Sequence, residues 1–466
     1  MAASPSLRSF LSDELGEPVR RVAREVSIDR ELCAVVKSLE ERGNPVLLFE
    51  RVTESPLPVI VGVTASRQRI GRALAQPVGR CVEHLLEQIE RPLSPRQVGS
   101  APVQEVILRG ETADVGSLPI GVHSPDDAGR YITSGVLLVR DPASGATNGG
   151  IYRTMVKDAR RLTVNIAPQH DLAVILNAAP GGKPIDCAIV IGGHPTLTIA
   201  SQAKNPRSVD TLALAGALQG SPLETVRGVS IDLDVPAHAE IVIEGRIRPD
   251  RREGEGPFGE FTYYYGSAQG WIFEVTAITH RADAIYVDLH PAHVEHRCLW
   301  LFPGREARLL ALLRAGVPAV RAVRLPFHGA GLSAYVALGK HQEGDAQRAL
   351  LLALSSDTYI KHAFVVDEDI DIFDDEEILW ALNVRFQADR DLIVAPRFKG
   401  VRMDPSGYDY LDRGAPGTIV TKAGFDMTMP VSRPYGPRAD VLPPAYEQLD
   451  PGEYLSANDA AELLGT

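Results

Sequence analysis

The sequence predicts a mixed α/β protein in which two α/β units flank a β-rich middle. Apolar residues recur at helical spacing towards both ends of the chain, which is typical of amphipathic helices. The middle instead consists of short β-branched runs separated by Gly, Pro and Asp, which is typical of strands and turns. A chain of 466 residues is also too long for one ordinary core. We therefore expect three domains, at 1–103, 104–305 and 306–466.

The first segment has the pattern of a small α/β unit. Helical apolar spacing covers 5–43, and the runs PVLLFERV and LPVIVGVTA predict two buried strands. Helical segments follow near 67–76 and 79–89. The stretch RPLSPRQVGSAPVQ then combines Pro, Ser and Gly, which predicts a linker that ends near residue 103.

The middle segment predicts a β-rich domain or barrel. Its strand-like runs recur about every 8 to 15 residues, a spacing typical of all-β architectures. One helix is expected at 207–219. The predicted strands are EVILRG, YITSGVLLVRD, GGIYRTMVKD, RLTVNIAP, DCAIVIGG, AEIVIEGRIRP, FTYYYG, WIFEVTAITHR and AIYVDLH.

The last segment returns to alternating helices and strands, which indicates an α/β domain. REARLLALLRAG and DAQRALLLALSS have helical spacing, and AYVALGK and AFVVD predict strands. The acidic run VDEDIDIFDDEEILWAL lacks the glycine of a calcium loop, so we interpret it as packing before a helix capped by Asp374 or Asp375.

Composition narrows the classes of function. There are 48 Lys plus Arg against 60 Asp plus Glu, and the net charge of -12 disfavours nonspecific binding to nucleic acid or anionic lipid. The start of the sequence has no apolar core of signal-peptide length, and no window approaches the length of a membrane span, so we expect a cytoplasmic protein. The four cysteines lack CxxC spacing, which argues against a disulfide framework or a cysteine zinc site.

The nonamer EGEGPFGEF at 253–261 separates Glu255 from Glu260 by four residues rich in glycine and proline. This spacer does not fit a helix, and an uninterrupted strand would point the two glutamates to opposite faces, so we expect a loop. In a loop the two carboxyl groups can converge, which raises one pKa and leaves a proton donor near neutral pH. Two alternatives are a surface turn with solvated glutamates and a hydrolase whose paired carboxylates flank a glycosidic bond.

Three further segments carry polar residues suited to binding. TNGGIYRTMVKD places Asn148 and Arg153 across a double glycine, where an amide oxygen can bind a hard cation and a guanidinium can pair with a carboxylate. NIAPQH ends with Gln169 and His170, and VTKAGFDMT places Lys422 near a glycine in a predicted turn. Each of these residue types, taken alone, is more often structural.

Taken in this order, the segments resemble the UbiD-like family of reversible decarboxylases, which use prenylated flavin mononucleotide (prFMN). The succession VPAHAEIVIEG and EGPFGEF carries most of the resemblance, which covers nearly the whole chain from RSFLSDELGEPVRRV to VTKAGFDMT. It implies an N-terminal α/β unit, a central split β-barrel that holds the flavin, and a C-terminal α/β domain that forms a homodimer or larger homo-oligomer. A flavin prenyltransferase would supply the cofactor.

The resemblance also implies an activity. Arg153, Glu255 and Glu260 would form the catalytic triad of a carboxy-lyase that acts on an aromatic, heteroaromatic or α,β-unsaturated carboxylic acid through a covalent prFMN adduct. Glu260 would be the proton donor, and Arg153 would bind the substrate carboxylate near the flavin. A flavin-binding, non-catalytic homologue that acts as an assembly subunit is the alternative within the same family.

A cofactor and metal site follows from the same resemblance. Asn148 and His170 would hold a divalent metal, with manganese expected and potassium as a possible companion. Asn148, Arg153, Gln169, His170 and Lys422 match positions that contact the cofactor.

Two positions depart from the family pattern. The family places a glutamate ligand just before the AxxGAL helix, whereas this chain has Thr211 there and Asp210 beside it, so Asp210 becomes the third candidate metal ligand. The hydroxybenzoate branch tends to have a lysine directly after the glycines of the segment aligned with HGAGLSAY, where this chain has Leu332.

Overall fold

The computed structural model describes residues 4–179, 182–339, 342–410, 418–436, 438–439, 449–456 and 459. Helices and strands are both present in the described residues, so the predicted mixed α/β class is confirmed. Most of the residues beyond 436 lie outside the described residues.

The described residues contain eleven helices. Most occur where apolar side chains recur at helical spacing, which lets one face of the helix pack against a sheet. They are α1 Leu7–Ser9, α2 Glu31–Glu40, α3 Arg67–Ala73, α4 Cys81–Ile89, α5 Asp171–Asn177, α6 Pro195–Gln202, α7 Thr211–Leu218, α8 Val294–Leu301, α9 Gly304–Gly316, α10 Asp345–Ser356 and α11 Asp375–Val384.

The described residues also contain twenty-one strands. They are β1 Arg20–Val22, β2 Leu47–Phe49, β3 Val59–Val61, β4 Arg96–Gln97, β5 Val106–Arg109, β6 Tyr131–Ile132, β7 Val136–Arg140, β8 Thr147–Ile151, β9 Thr154–Asp158, β10 Arg161–Val164, β11 Ile185–Ile191, β12 Glu224–Arg227, β13 Asp234–Pro236, β14 Ile241–Gly259, β15 Tyr265–His280, β16 Tyr286–Val287, β17 Val320–Arg324, β18 Ser333–Leu338, β19 His362–Asp367, β20 Leu392–Lys399 and β21 Ile419–Asp426.

These strands form four sheets. A nine-stranded antiparallel sheet in the middle of the chain has the order β6-β9-β10-β15-β14-β11-β7-β8, with β5 also paired to β15. The N-terminal unit has the order β1-β2-β3-β16, so a strand from the predicted middle segment completes its sheet. A small sheet has the order β13-β12-β4, and the C-terminal sheet has the order β17-β18-β19-β21-β20.

The central sheet is buried on both faces, and strand β7 illustrates why. Leu137 and Val139 belong to the hydrophobic core shared with the N-terminal unit. Val136 and Leu138 point the other way into a second core. Because successive side chains of a strand alternate between faces, a strand buried on both sides needs a continuous apolar run. The sequence VLLV supplies that run.

Strands β14 and β15 form one long hairpin that reaches beyond the rest of the sheet. Their pairing continues from Ile241 and His280 to Gly259 and Tyr265, with register shifts on the way. The predicted strand FTYYYG is wrong, because Glu260 to Tyr264 form the turn of this hairpin. Tyr263 there has a positive φ of 64°, which a strand does not allow.

Three other local predictions need correction. The nonamer EGEGPFGEF is not a loop, because its first seven residues lie in β14 and pair irregularly with β15. The KAGF segment is not a turn, because Lys422 lies inside β21. The helix expected at 207–219 is shorter, since α7 begins only after Asp210. By contrast, Asp374 caps α11 as predicted, and its carboxylate accepts the N–H of Glu376 at 2.8 Å.

None of the helices in the described part of the chain combines the length and the apolar character that crossing a membrane requires. All four cysteines are buried thiols without a disulfide partner.

Candidate active site

An irregularity in β14 brings the two glutamates of the nonamer to one place. The register of β14 against β15 shifts between Glu255 and Phe258, where two residues of β14, Gly256 and Pro257, stand opposite one residue of β15. Gly256 has a φ of +101°, and a Cβ there would lie 2.6 Å from the carbonyl oxygen of Gly266. Only glycine fits this conformation and this approach. Because a bulge re-aims the residues that follow it, the alternation of faces is broken at this point.

Both glutamates converge on one arginine. Arg153, in the connection between β8 and β9, donates from Nη2 to Glu255 Oε2 at 2.6 Å and from Nη1 to Glu260 Oε1. Its guanidinium also lies 5.0 Å from the centre of the Phe258 ring. The side chains of Arg153 and Glu260 are 9% and 15% exposed, and that of Glu255 is fully buried. The alternative of a surface turn with solvated glutamates is therefore wrong.

The electrostatics of this triad favour a protonated carboxyl group. Burial raises the pKa of Glu255 above its ordinary value, although the neighbouring Arg153 opposes the shift. Burial also raises the pKa of Glu260, again against Arg153, and the negative charge of Glu255 raises it further. One arginine cannot neutralise two buried carboxylates, so the two glutamates titrate together and hold a proton to higher pH than free glutamate does.

An aromatic wall lies next to this triad, and it was not found from the sequence. The Phe261 ring is 4.8 Å from Trp300 and 5.9 Å from His296, and Tyr359 packs on Trp300 at 4.9 Å. Burial lowers the pKa of His296 to about 4, so its ring is neutral at neutral pH. These residues come from three separate segments, with His296 and Trp300 both on α8, and no spacing within one segment could have indicated that the three segments meet. The wall gives the triad an apolar, flat-sided environment suited to an unsaturated or aromatic group.

The predicted metal ligands lie around strand β8. Asn148 is in β8 between Thr147 and Gly149, and both neighbours are tied to the first residues of α7. The N–H of Thr147 donates to Asp210 Oδ2 at 2.7 Å, and the N–H of Gly149 donates to Thr211 Oγ1 at 2.9 Å. The N-terminus of α7 is thereby fixed next to Asn148.

Asp210 has a structural role in this arrangement. Its Oδ1 accepts the N–H groups of Leu212 and Ala213 at 2.8 and 3.0 Å, which caps α7. Since Oδ2 accepts the N–H of Thr147, a metal would share each oxygen with a backbone donor. Its role as a third metal ligand stays a prediction.

His170 has the properties of a neutral ligand. It precedes α5, packs on Tyr152 at 5.6 Å, and has a buried Nδ1 without a hydrogen-bond partner among the described residues. Burial lowers the pKa of His170 to about 4, and the positive charges of Lys204 and Arg305 lower it further. A neutral imidazole keeps a lone pair for a cation, and nearby buried positive charges suit a phosphate.

The two other predicted cofactor contacts differ in environment. Gln169 is exposed in the connection before α5. Lys422 is buried, and its ammonium donates to the carbonyl oxygens of Leu354 and Asp357 at 2.7 and 2.6 Å. Burial lowers the pKa of Lys422 to about 8. Lys422 is therefore not a solvated surface lysine, and its contact with a cofactor stays a prediction.

A divalent metal and a flavin phosphate fit the residues around β8. The donor set combines an amide oxygen, a neutral imidazole and a carboxylate, which is chemistry that manganese accepts. Among the described residues, the group of three His, Cys, Asp or Glu side chains close enough to share an ion lies elsewhere, at Cys33, His123 and Asp288. There His123 Nε2 already lies 3.0 Å from Asp288 Oδ1, so this group is explained as a buried ion pair.

Comparison with known proteins identifies three domain types in the chain. The N-terminal, Rift-related and C-terminal domains of 3-octaprenyl-4-hydroxybenzoate carboxy-lyase match residues 15–89, 96–293 and 300–427. Anhydromevalonate phosphate decarboxylase of Methanothermobacter thermautotrophicus is 34% identical over 428 residues, which cover 91% of this chain and 97% of that protein.

Solved structures give the same result. The UbiD-class enzyme HmfF of Pelotomaculum thermopropionicum, in complex with FMN, is 39% identical with a TM-score of 0.90, and the match covers 97% of this chain and 100% of HmfF. An evolved dimeric form of HmfF, in complex with prFMN, is 38% identical over the same shares of the two chains, with a TM-score of 0.86.

Proposed function

The chain belongs to the UbiD family of carboxy-lyases, and we propose that it reversibly decarboxylates an aromatic, heteroaromatic or α,β-unsaturated carboxylic acid. The observation that carries the proposal is the buried guanidinium of Arg153 between the carboxyl groups of Glu255 and Glu260. Such a site offers a cation for a substrate carboxylate and a proton donor beside it. The hydrolase alternative does not fit this family.

Each residue of the triad has a separate task. Arg153 binds the substrate carboxylate and so orients the carbon–carboxyl bond. Glu260 accepts from Arg153 through Oε1, so it holds its proton on Oε2 and donates it to the carbon that has lost carbon dioxide. Glu255 keeps Arg153 in place and, through its charge, helps Glu260 to stay protonated. Protonation of that carbon is a general-acid step, which is worth about 10² to 10⁴ in rate.

We further propose prFMN as the cofactor, because the HmfF relatives bind FMN and prFMN. Asn148, Arg153, Gln169, His170 and Lys422 would hold it. When bound, prFMN supplies an electron sink for the bond that breaks. A flavin prenyltransferase would have to supply the modified flavin. His170, with Asn148 and Asp210, would bind manganese through the lone pair of its neutral ring, and potassium stays a prediction.

The first experiment identifies the cofactor. The protein is co-expressed with a flavin prenyltransferase in medium with manganese and potassium, and the released small molecule is examined by absorbance and mass. We expect the mass of prFMN and release of carbon dioxide from at least one acid in a panel of aromatic, heteroaromatic and α,β-unsaturated acids. Protein without flavin would contradict the cofactor proposal, and flavin without turnover would favour the non-catalytic assembly subunit.

The second experiment tests the proton donor. Glu260→Gln keeps the shape of the side chain but removes its proton, so we expect kcat to fall by about two decades or more while the flavin stays bound. Glu253→Gln is the matched control, because Glu253 lies on β14, the strand that ends just before Glu260, but pairs with Lys157 and Arg161 rather than with Arg153. Wild-type turnover in Glu260→Gln would remove Glu260 from the mechanism.

A further inference from the structure

A short segment at 123–128 is bound to the backbone immediately before Glu260. Asp127 Oδ1 accepts the N–H of Gly259 at 2.7 Å, and the N–H of Ala128 donates to the carbonyl oxygen of Pro257 at 2.7 Å. The other oxygen of Asp127 accepts the N–H of Ser124 at 2.8 Å and that of His123 at 3.2 Å. One carboxylate therefore joins its own segment to the irregular end of β14.

The approach of the two segments is close enough to require glycine. A Cβ at Gly259 would lie 2.5 Å from Ser124 Oγ and 3.0 Å from Ser124 Cβ. Since real contacts of a Cβ atom are essentially never shorter than 3.0 Å, a larger residue would force the strand or Ser124 to move. The second glycine of the Gly-Pro-Phe-Gly spacer thus serves this contact.

The segment itself is anchored in the protein interior. His123 is buried, and its Nε2 lies 3.0 and 3.1 Å from the carboxylate oxygens of Asp288, which also accepts from Thr133 Oγ1 at 3.0 Å. Asp288 directly follows β16, the strand that completes the N-terminal sheet. The segment is therefore a rigid support for β14.

We propose that Asp127 is a positioning residue for Glu260: by holding the N–H of Gly259 and bearing a negative charge nearby, it fixes where the proton donor lies and keeps it protonated. This inference rests on the proposed function, in which Glu260 is the proton donor. In this proposal Asp127 acts through Glu260 and does not itself contact the substrate or the flavin.

The charge of Asp127 acts together with the other charged groups around Glu260. Burial raises the pKa of Glu260, Arg153 and Arg402 lower it, and Glu255 and Asp127 raise it. The charge of Glu260 also acts on Tyr359, whose hydroxyl is itself neutral because burial raises its pKa. Loss of the Asp127 charge therefore lowers the pKa of Glu260, so its proton is lost at a lower pH.

The test compares Asp127→Asn with Asp114→Asn in the flavin-loaded protein. Asp114 is the matched control, because its Oδ1 also accepts one backbone N–H, that of Gly116 at 2.7 Å. Both oxygens of Asp127 accept backbone N–H groups. An asparagine has only one oxygen, so its NH2 group would face a backbone N–H on one side. Asp127→Asn therefore removes one hydrogen bond as well as the negative charge. We expect kcat to fall about tenfold to a hundredfold, as a misplacement near 1 Å does, with little change in KM.

The pH profile separates this role from a merely structural one. The limb along which kcat declines as pH rises should move to lower pH in Asp127→Asn and stay unchanged in Asp114→Asn. Asp127→Glu, which keeps the charge, should leave the limb near its wild-type position even if kcat falls. An unshifted limb in Asp127→Asn would overturn the electrostatic part of the proposal.

Hydrogen–deuterium exchange tests the positioning without activity. Removal of the acceptor in Asp127→Ala should speed exchange of the amides in 253–262, whereas Asp114→Ala should not. Gly259→Ala should have the same effect, and Ser124→Gly in the same chain should reverse it by removing the clashing atoms. Unchanged exchange in Asp127→Ala and in Gly259→Ala would overturn the positioning.

The two variants distinguish a wrong role for Asp127 from a wrong role for Glu260. If Glu260→Gln is inactive while Asp127→Asn keeps wild-type kcat and pH limb, only the role of Asp127 is wrong. If Glu260→Gln keeps wild-type turnover, Glu260 is not the donor, and the exchange data alone still report whether Asp127 holds the strand.

Discussion

At the scale of residues, the candidate site depends on one guanidinium shared by two acids. Arg153 uses a different nitrogen for each partner, Nη2 for Glu255 and Nη1 for Glu260. The planar fork of an arginine can hold two carboxyl groups at once, whereas the single ammonium of a lysine cannot reach both in the same geometry. The pKa of Glu260 remains raised because its burial and the charge of Glu255 outweigh that guanidinium.

Arg153→Lys should therefore lower kcat by roughly tenfold or more without moving the pH limb. The positive charge stays, so the pKa of Glu260 changes little, but the second carboxyl group loses its partner. The rate should fall as pH rises through the pKa of Glu260, since only the protonated acid donates. The measurement is kcat against pH, with Arg161→Lys as control because Arg161 pairs with Asp158 at the protein surface, where both side chains are about half exposed. Wild-type kcat in Arg153→Lys would show that the fork is unnecessary.

At the scale of elements, a helix terminus and an irregular strand build the site. The N-terminus of α7 is fixed to β8 by Asp210 and Thr211, each through a backbone N–H of β8. The bulge of β14 turns Glu260 towards the same side of the sheet as Glu255. Neither arrangement follows from the regular period of a helix or a strand, because each depends on where a regular element is interrupted.

Substitutions of Asp210 distinguish its role as the N-cap of α7 from its predicted role as a metal ligand. Asp210→Ala removes the acceptor of three backbone N–H groups and should lower the free energy of unfolding by about 1 to 2 kcal/mol. Asp210→Asn keeps a capping oxygen and should cost less, as measured by urea unfolding. Asp374→Ala is the control cap, with a single N–H contact at the exposed start of α11.

Manganese content then decides the second role. If Asp210 is a metal ligand, Asp210→Asn should bind manganese more weakly even where its stability is near that of the wild type. Equal manganese content in the wild type and Asp210→Asn would leave Asp210 as a helix cap only.

At the scale of the whole molecule, the site lies where three parts of the chain meet. The segment with Asp127 is anchored to the N-terminal sheet, the triad lies on the central sheet, and the C-terminal domain contributes Tyr359. Arg402 of the same C-terminal domain donates to the carbonyl oxygen of Ser267 at 2.9 Å, beside the bulge. The environment of Glu260 therefore depends on the relative placement of all three parts.

The C-terminal sheet also offers a surface for the proposed homo-oligomer. β20 is an edge strand of this sheet, and its residue Val394 is 59% exposed. Because an exposed edge strand can pair with another chain and a lysine opposes such pairing, Val394→Lys should reduce the mass of the oligomer in light scattering. Ile107→Lys, on the edge strand β5, is the control and should not change it. An unchanged mass in Val394→Lys would place the interface elsewhere.

The sequence by itself predicted most of the elements and the candidate site residues. Helical and strand periods are local, so α9, α10, β7 and β19 appear where their patterns predict them. The spacer between Glu255 and Glu260 predicted that the two carboxyl groups converge, although it did not reveal the strand that carries them. The strand predicted for FTYYYG was wrong because aromatic residues favour strands in general. The turn at this place is imposed by the pairing of β14 with β15.

Only the tertiary structure decided which groups surround the acids. The contact of Asp127 with Gly259 joins residues 132 positions apart, and that of Arg153 with Glu260 joins residues 107 positions apart. Such contacts depend on strand register and on the packing of separate domains, which no local pattern records. Burial follows from the same packing. Lys422 is a buried hydrogen-bond donor for this reason. Burial also raises the pKa of Glu260, because a charge costs more free energy where protein excludes water from it.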